Sequence, residues 1–212
     1  MKLNKYLLAL TCALTATAHA DSSGFYIAGS VGQSRFNLDW DKSDADALLD
    51  DVGLTVNSSK LDKHDSAYKI QFGYQFNEYF AVEGGYIDLG AAEYKATVNG
   101  GASGKAEYEA TGINVGAVAI MPLTSSFSLL AKFGFIRSDV DFTLGASAGG
   151  VSASESESGN NVDTYVAFGA QYAFTDNFAV RAEFDNYNNI GDDDKTGEAK
   201  VKLLSLGAVL KF

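Results

Sequence analysis

The sequence is poor in cysteine, in proline and in long apolar runs. It has one cysteine and one proline in 212 residues. Cys12 lies among the first twenty residues, so the rest of the chain cannot form the disulfide bonds on which many small exported domains rely. Beyond that point no apolar stretch approaches the roughly 18 residues of a transmembrane helix, which excludes a helical membrane span there.

Basic residues are also scarce, since 16 Lys and Arg stand against 27 Asp and Glu and give a formal net charge of −11. A chain this acidic is a poor nucleic-acid binder, because contacts to phosphate need Lys and Arg. The chain has instead 22 glycines, 14 phenylalanines and 11 tyrosines, a composition that favours strands and tight turns. Its length suits one domain.

The first segment, "MKLNKYLLALTCALTATAHA", has the pattern of a secretory signal peptide. Lys2 and Lys5 give a positive start, an apolar run follows, and residues 18–20 form a small-x-small cleavage site. The alternative is a membrane helix, but the apolar run is shorter than the ~20 residues that a span needs. We therefore expect a signal peptide over 1–20 and a barrel domain over 21–212.

Apolar and polar residues alternate with period two along the rest of the chain, which indicates strands with two unlike faces. In "SAYKIQFGYQF", Tyr68 and Phe72 share one face, whereas Lys69 and Gln71 share the other. We predict eight strands, over 24–36, 66–76, 79–90, 107–121, 127–142, 162–174, 178–189 and 200–212.

The connections between these strands alternate strictly between short and long. The short turns lie at 77–78, 122–126 and 175–177, and the long polar links lie at 37–65, 91–106, 143–161 and 190–199. This is the layout of an outer-membrane barrel, with tight periplasmic turns and longer outer loops. We therefore predict an all-β fold, an eight-stranded antiparallel up-and-down transmembrane β-barrel.

The two strand faces indicate which one meets lipid. One face is crowded with aromatic rings and stays uncharged for about ten residues from the short turns, close to the length of a tilted strand that crosses the hydrocarbon. Arg137 and Lys202 then appear, although Asp88 arrives earlier on its strand. The other face carries small residues, which suit a narrow lumen. A soluble barrel with its rings inside is the alternative, and we expect the rings to face lipid.

Four segments resemble the transmembrane domain of the OmpA family: "GFYIAGSVGQSRF", "FAVEGGYIDLG", "QYAFTDNFAVRAEFDNYNNIGD" and "LLSLGAVLKF". The resemblance implies an eight-stranded barrel in the bacterial outer membrane. It also implies that Leu206, Ala208, Leu210 and Phe212 form the signal read by the outer-membrane assembly machinery. Longer members continue into a periplasmic domain that binds peptidoglycan. Because nothing follows Phe212 in this sequence, we do not expect cell-wall anchoring.

The same resemblance implies a charge network inside the lumen, formed by Glu83, Lys132, Arg181 and Glu183. Two other positions of the family network are Val118 and Gln171 in this chain. Charges enclosed by a barrel need partners or water, so these side chains can form a structural plug of salt bridges. The alternative is a gate for a narrow ion path, which opens when Arg181 changes its partner.

Acidic clusters in the predicted loops suggest a metal site only weakly. Asp39, Asp41, Ser43 and Asp50 fall at positions one, three, five and twelve of an EF-hand-like frame. Asp44 stands where that frame needs glycine, so we expect a solvated acidic loop. We expect the acidic run at 192–194 to be a solvated loop as well. Bridging to lipopolysaccharide by divalent cations stays open. The segment "GASAGGVSASESESGNN" is small and polar, and we expect a disordered surface loop there.

One short pattern raises the question of catalysis. His64 and Ser66 loosely resemble the His-x-Ser of outer-membrane lipid deacylases, but the match is three residues long and no acidic partner can be identified. We expect no enzymatic activity, no cofactor and no bound metal.

These observations predict an integral outer-membrane structural barrel that displays four extracellular loops. The alternatives are a small ion or solute porin gated by the lumenal charges, a lipid-modifying enzyme, and an adhesin. The expected partners are outer-membrane lipid, lipopolysaccharide and the assembly machinery, with no nucleic acid. The oligomeric state stays open.

Overall fold

The alternating segments form strands that hydrogen-bond side by side until the first meets the last. A computed structural model describes residues 23–38, 41–51, 55–192 and 195–212. Its strands are β1 (Gly24–Leu38), β2 (Val56–Asp62), β3 (His64–Gln75), β4 (Phe80–Val98), β5 (Ser103–Pro122), β6 (Phe127–Ala148), β7 (Val151–Ala173), β8 (Phe178–Asp192) and β9 (Gly197–Lys211), and its helix is α1 (Lys42–Asp51). The predicted signal peptide, Asp39 and 193–194 lie outside the described residues.

Eight strand positions close into an antiparallel ring. The order is β4-β3-β1-β9-β8-β7-β6-β5, and β5 returns to β4. β2 takes the same ring position as β3, because β3 pairs with β4 at 81–88 and β2 pairs with β4 at 93–98. The predicted eight-stranded antiparallel barrel is confirmed.

The exposed and buried faces follow the alternation of the sequence. On β3, β6 and β9, the large outward side chains Phe72, Phe133 and Leu204 are 63%, 56% and 65% exposed. Gln71 and Lys132, each one position away, are buried. The ring-rich face therefore points outward, and the face of small and polar residues encloses the lumen.

Glycine is required where a large lumenal side chain packs directly over the backbone of a neighbouring strand. A Cβ at Gly73 would lie 2.1 Å from Cζ of Tyr26, and a Cβ at Gly134 would lie 2.8 Å from Cε1 of Tyr165. Both distances are far below van der Waals contact, so the two tyrosine rings fit only because these positions lack a side chain.

Three short turns close one end of the barrel, as predicted. Each is held by a backbone hydrogen bond, such as Phe76 N to the Phe80 carbonyl at 2.9 Å and Phe174 N to the Phe178 carbonyl at 3.0 Å. The side chains of Asn77 and Thr175 accept backbone N–H groups inside two of these turns, which is how short polar residues stabilise a tight reversal.

The prediction of long loops at 91–106 and 143–161 is wrong, because the strands continue past their predicted ends. β4 and β5 pair as far as Thr97 opposite Ser103, and β6 and β7 pair as far as Ala148 opposite Val151. The "GASAGGVSASESESGNN" segment is therefore a paired hairpin and not a disordered loop. Backbone pairing needs no apolar side chains, and Gly149 and Gly150 supply the positive φ angles of 57° and 84° that the turn requires.

The first long link also contains regular structure. Residues 37–65 include α1 and β2, so the prediction of a plain loop there is wrong. Among the helices of the described residues, none has the length and apolar character to cross a membrane.

Candidate functional site in the barrel lumen

The structure brings the four predicted lumenal charges together at mid-barrel. Lys132 Nζ contacts Glu83 Oε2 and Glu183 Oε1. Arg181 Nη1 contacts Glu83 Oε1 and lies 3.8 Å from Glu183 Oε1. All four side chains are at most 6% exposed, so each charge has an opposite charge beside it in place of water.

Two more charged residues extend this group, and the sequence reasoning missed both. Lys69 Nζ lies 3.0 Å from Glu183 Oε2 and 2.7 Å from Asp185 Oδ2, with both partners buried. The signal for them was present, because Lys69 shares the small-residue face of its strand and Asp185 lies two residues after Glu183. The lumenal network is hereafter Lys69, Glu83, Lys132, Arg181, Glu183 and Asp185, and its three acids balance its three bases.

Neutral polar side chains hold the network in place. The Tyr26 hydroxyl donates to Glu83 Oε1 at 2.6 Å, and the Arg181 guanidinium lies 5.6 Å from the centre of the Tyr26 ring. Arg181 Nε donates to Gln171 Oε1 at 2.9 Å. Gln171, one of the two departures from the family pattern, therefore serves as a hydrogen-bond partner for the arginine.

The other departure, Val118, belongs to an apolar layer between the network and the short turns. This layer also contains Tyr26, Ala28, Ala81, Leu130, Ala179 and Val209. Val118 is 1% exposed, so an aliphatic side chain closes this position where the family resemblance implies a charge.

A larger apolar layer fills the lumen on the other side of the network. Among its members are Phe36, Ile87, Tyr108, Ile136, Tyr165, Tyr187, Val201 and Leu203. The rings of Tyr165 and Tyr187 stack with centroids 5.4 Å apart, and the Tyr108 hydroxyl donates to the Ile190 carbonyl at 2.5 Å. This apolar plug, as we call it, packs large side chains across the outer half of the lumen.

One of the predicted EF-hand-like acids, Asp41, caps the N-terminus of α1. Asp41 Oδ1 accepts backbone N–H groups from Ser43 at 2.7 Å and Asp44 at 3.2 Å, which is the contact of an N-terminal cap. The Ser43 hydroxyl bonds the same carboxylate, and this bond lowers the pKa of Asp41. Over the residues that the structure describes, no three His, Cys, Asp or Glu side chains group as metal ligands would.

Asp46 connects this helix to β2 and β4. Its carboxylate accepts from Lys42 Nζ at 2.7 Å, from the Ser59 hydroxyl at 3.0 Å and from the Tyr94 hydroxyl at 2.6 Å. These bonds, that of Lys42 first, lower the pKa of Asp46 to about 2. Burial and then the bond to Asp46 raise the pKa of Tyr94 to about 12.

The remaining predicted residues lie on the outer wall. His64 and Ser66 are exposed on β3 and point away from the lumen. Leu206, Ala208 and Leu210 are exposed on β9, and the Phe212 backbone N–H donates to the Phe25 carbonyl at 2.9 Å.

The sequence matches the family model described as the OmpA-like transmembrane domain over residues 20–212. It is similar to Outer membrane protein A of Yersinia pseudotuberculosis serotype I, with 31% identity over 218 residues that cover 99% of this chain and 56% of the relative. It is also similar to Outer membrane protein A of Klebsiella pneumoniae, with 33% identity over 141 residues that cover 66% of this chain and 39% of the relative. The chain spans about half the length of the curated relatives it matches.

Two solved structures share the fold. Neisserial surface protein A aligns with a TM-score of 0.52 and 15% identity over 90% of this chain and 98% of that one. Ail, the attachment invasion locus protein of Yersinia pestis, was crystallised with the heparin analogue sucrose octasulfate. Ail aligns with a TM-score of 0.50 and 20% identity over 90% of this chain and 99% of that one. At these identities the likeness concerns the fold alone.

Proposed function

The chain belongs to the family of OmpA-like transmembrane domains, and on this premise we propose that it is a structural barrel of the bacterial outer membrane with a closed lumen. The closed ring satisfies the backbone hydrogen bonds of every strand that crosses the hydrocarbon. The paired hairpins β4–β5 and β6–β7 extend from this ring on the side away from the short turns. The barrel thus anchors a polar sheet that faces the cell exterior.

The apolar plug is the observation that carries this proposal against a porin. Ions cross a pore through water, and the plug fills the lumen with side chains such as Phe36, Ile87 and Tyr187 that are 0% exposed. A change of partner by Arg181 would leave this layer in place. The lumenal network therefore acts as a structural crosslink of the barrel wall, and the gate hypothesis is not favoured.

Single-channel recording in planar lipid bilayers tests this proposal. We expect no stepwise conductance from the purified full chain, nor from its Glu83→Ala and Arg181→Ala variants. A general porin in the same bilayer is the positive control. Reproducible conductance steps that change in either variant would contradict the closed lumen and support the gate hypothesis.

An enzymatic role has less support, because the relatives are named Outer membrane protein A and this name states no catalytic activity. The outward position of His64 and Ser66 permits a test with lipopolysaccharide as substrate. We expect no release of fatty acid, and no difference between the wild type and Ser66→Ala. Acyl release that Ser66→Ala abolishes would establish the deacylase alternative.

Assembly and lipid contacts form the rest of the proposal. The outward side chains of Leu206, Leu210 and Phe212 give the last strand an apolar outer face. This face supports its role as the assembly signal. The exposed apolar wall supports outer-membrane lipid, including lipopolysaccharide, as the immediate surroundings. We also propose removal of residues 1–20 on export, which N-terminal sequencing of the membrane-bound protein would test.

A further inference from the structure

Four basic side chains meet on the outer wall, above the lipid-facing residues. In the strand register, Arg35 on β1 stands directly opposite Lys202 on β9 and also opposite His64 on β3. Lys200 stands opposite Asn37, one step farther from the membrane on the same face. We call Arg35, His64, Lys200 and Lys202 the basic arc.

The side chains of the arc are exposed and its cations lack acidic partners. All four residues are exposed, and within the described part of the chain Arg35, Lys200 and Lys202 take part in no salt bridge. Like charges directly opposite each other destabilise a pair of strands. An anion from outside the chain would therefore relieve the repulsion between Arg35 and Lys202.

The acids nearest to the arc do not supply that anion. The carboxylate of Asp62 accepts the His64 backbone N–H at 3.3 Å and is paired with Lys60 Nζ at 3.1 Å, so it is already bound. Glu198 lies on the same strand face, two residues beyond Lys200 and farther from the membrane. Asn186, the neighbour of Lys202 on β8, is neutral.

A second group of basic residues in the same protein has its positive charges neutralised by neighbouring acids. Lys60, Lys95 and Lys105 stand opposite one another on β2, β4 and β5. The next row toward the membrane is Asp62, Glu93 and Glu107. Each lysine contacts one or two of these acids, with Lys105 Nζ 2.9 Å from Glu93 Oε2 as an example. We call these three lysines the paired ladder.

The basic arc lies at the edge of the apolar wall. Directly below Lys202 on β9 come Leu204 and Leu206, which are 65% and 58% exposed. Below Arg35 on β1 come the exposed Gln33 and then Val31, which is 69% exposed. A cation at this height meets the head groups of the outer leaflet, while the side chains below it meet acyl chains.

On the opposite side of the barrel rim, the exposed charges are mostly negative. Asp88, Thr111 and Asp139 form one row across β4, β5 and β6, and Glu109 and Asp141 form the row above it. Arg137 lies below them as a base on that side. Anionic lipid head groups are therefore repelled there and attracted at the basic arc.

We propose that the basic arc is a docking site for the phosphate groups of a phosphorylated glycolipid of the outer leaflet, whose acyl chains lie against Leu204, Leu206 and Val31. Arg35 offers the planar fork of donors that suits phosphate, and Lys200 and Lys202 add point charges. His64 adds a ring N–H donor even when neutral. This inference rests on the proposed membrane function, since it requires the wall below the arc to face lipid.

The test uses the purified full chain in a neutral detergent with EDTA, so that divalent cations cannot bridge acids to phosphate. Native mass spectrometry counts the diphosphorylated lipid A bound per barrel during a titration, and the same lipid without phosphates is the comparison. The variant is Arg35→Ser/Lys200→Ser/Lys202→Ser. The control, Lys60→Ser/Lys95→Ser/Lys105→Ser, removes the same charge from the paired ladder.

We expect the wild type to prefer the diphosphorylated lipid, the arc variant to lose about tenfold or more in affinity, and the ladder control to stay within about twofold. Equal binding of both lipids by the wild type, or equal losses in the two variants, would overturn the proposal. Displacement by micromolar pyrophosphate would also overturn it, since the site would then serve a soluble anion.

Failure of this inference can be told apart from failure of the proposed function. A heat-dependent shift in gel mobility reports whether each variant is a folded barrel in detergent and in vesicles. A folded, inserted wild type without phosphate preference contradicts only the docking site. A wild type that folds in water without detergent or lipid contradicts both.

Discussion

Glu83 and Arg181 meet in the middle of the lumen although their strands stand on opposite sides of the ring. Three strands separate β4 from β8 in either direction around the barrel. Arg181 Nη1 nevertheless contacts Glu83 Oε1, and both side chains are at most 6% exposed. The pair thus connects two opposite walls through the barrel axis, and the rest of the lumenal network surrounds it.

Removal of Glu83 should be strongly destabilising. Glu83→Ala leaves Arg181 without its nearest carboxylate in a site from which water is excluded, and breaking a buried pair in this way typically costs about 3–5 kcal/mol. Urea unfolding in phospholipid micelles, followed by the heat-dependent gel shift, measures the loss. Glu107→Ala is the control, because its partner Lys105 is half exposed and we expect a change of at most about 1 kcal/mol. Equal effects of the two substitutions would contradict the crosslink.

Part of the stabilisation by Lys69 should depend on the charge of Asp185. Lys69→Met leaves the Asp185 carboxylate without the ammonium that now lies 2.7 Å away, so the variant should unfold at lower urea than the wild type. Lys69→Met/Asp185→Leu removes both charges and should recover part of the loss. A double-mutant cycle by urea unfolding measures this coupling, and strictly additive effects would show that the two residues act independently.

Asp46 should hold α1 against the extracellular sheet. Asp46→Ala removes the acceptor of the bonds from Lys42, Ser59 and Tyr94, so the amides of 42–51 should exchange faster with deuterium. Exchange in the membrane part of the strands should not change. Asp50→Ala removes the same charge from the same helix and is the control. Faster exchange in both variants would mean that net charge, and not the Asp46 contacts, governs the helix.

The same contact predicts a pH dependence with a defined sign. The pKa of Asp46 in the folded protein, about 2, is lower than the ~3.9 of a free aspartate. Its contribution to helix docking is therefore fully present above about pH 4 and is lost as the pH falls through about 2. Pepsin cleavage within 42–51 should be slow at pH 4 and faster at pH 2, relative to the Asp46→Ala variant at each pH. A constant ratio across this range would contradict the assignment.

The sequence predicted the membrane part of the barrel well, because two constraints coincide there. Outward residues such as Phe133 must be apolar and inward neighbours such as Gly134 must be small, so the period of two is clear. Beyond the membrane both faces of β7 are polar, and Glu155 or Ser156 carry no such contrast. The hairpin exists because backbone pairing continues from the membrane part of the same strands, a cause that lies in the neighbouring strand and not in the segment itself.

Only part of the lumenal site could be predicted, because some of its contacts also depend on neighbouring strands. Glu83, Lys132, Arg181 and Glu183 came from family resemblance and from the inward alternation of their strands. Lys69 and Asp185 satisfy the same alternation, but a single sequence does not give the stagger between β3 and β8 that brings them within 2.7 Å. The height of a residue in a barrel depends on that stagger, which becomes visible only when the ring closes.

The central claim is that the ring-rich face of the strands touches acyl chains while the small-residue face is enclosed. Spin labels at single cysteines along β6 test it most directly, because the chain has no cysteine beyond Cys12. In lipid vesicles, labels at Leu129, Phe133 and Phe135 should collide freely with dissolved oxygen, whereas labels at Leu130 and Ile136 should not, as judged on the heat-shifted folded fraction. Greater oxygen access at Leu130 and Ile136 than at Phe133 would contradict the account.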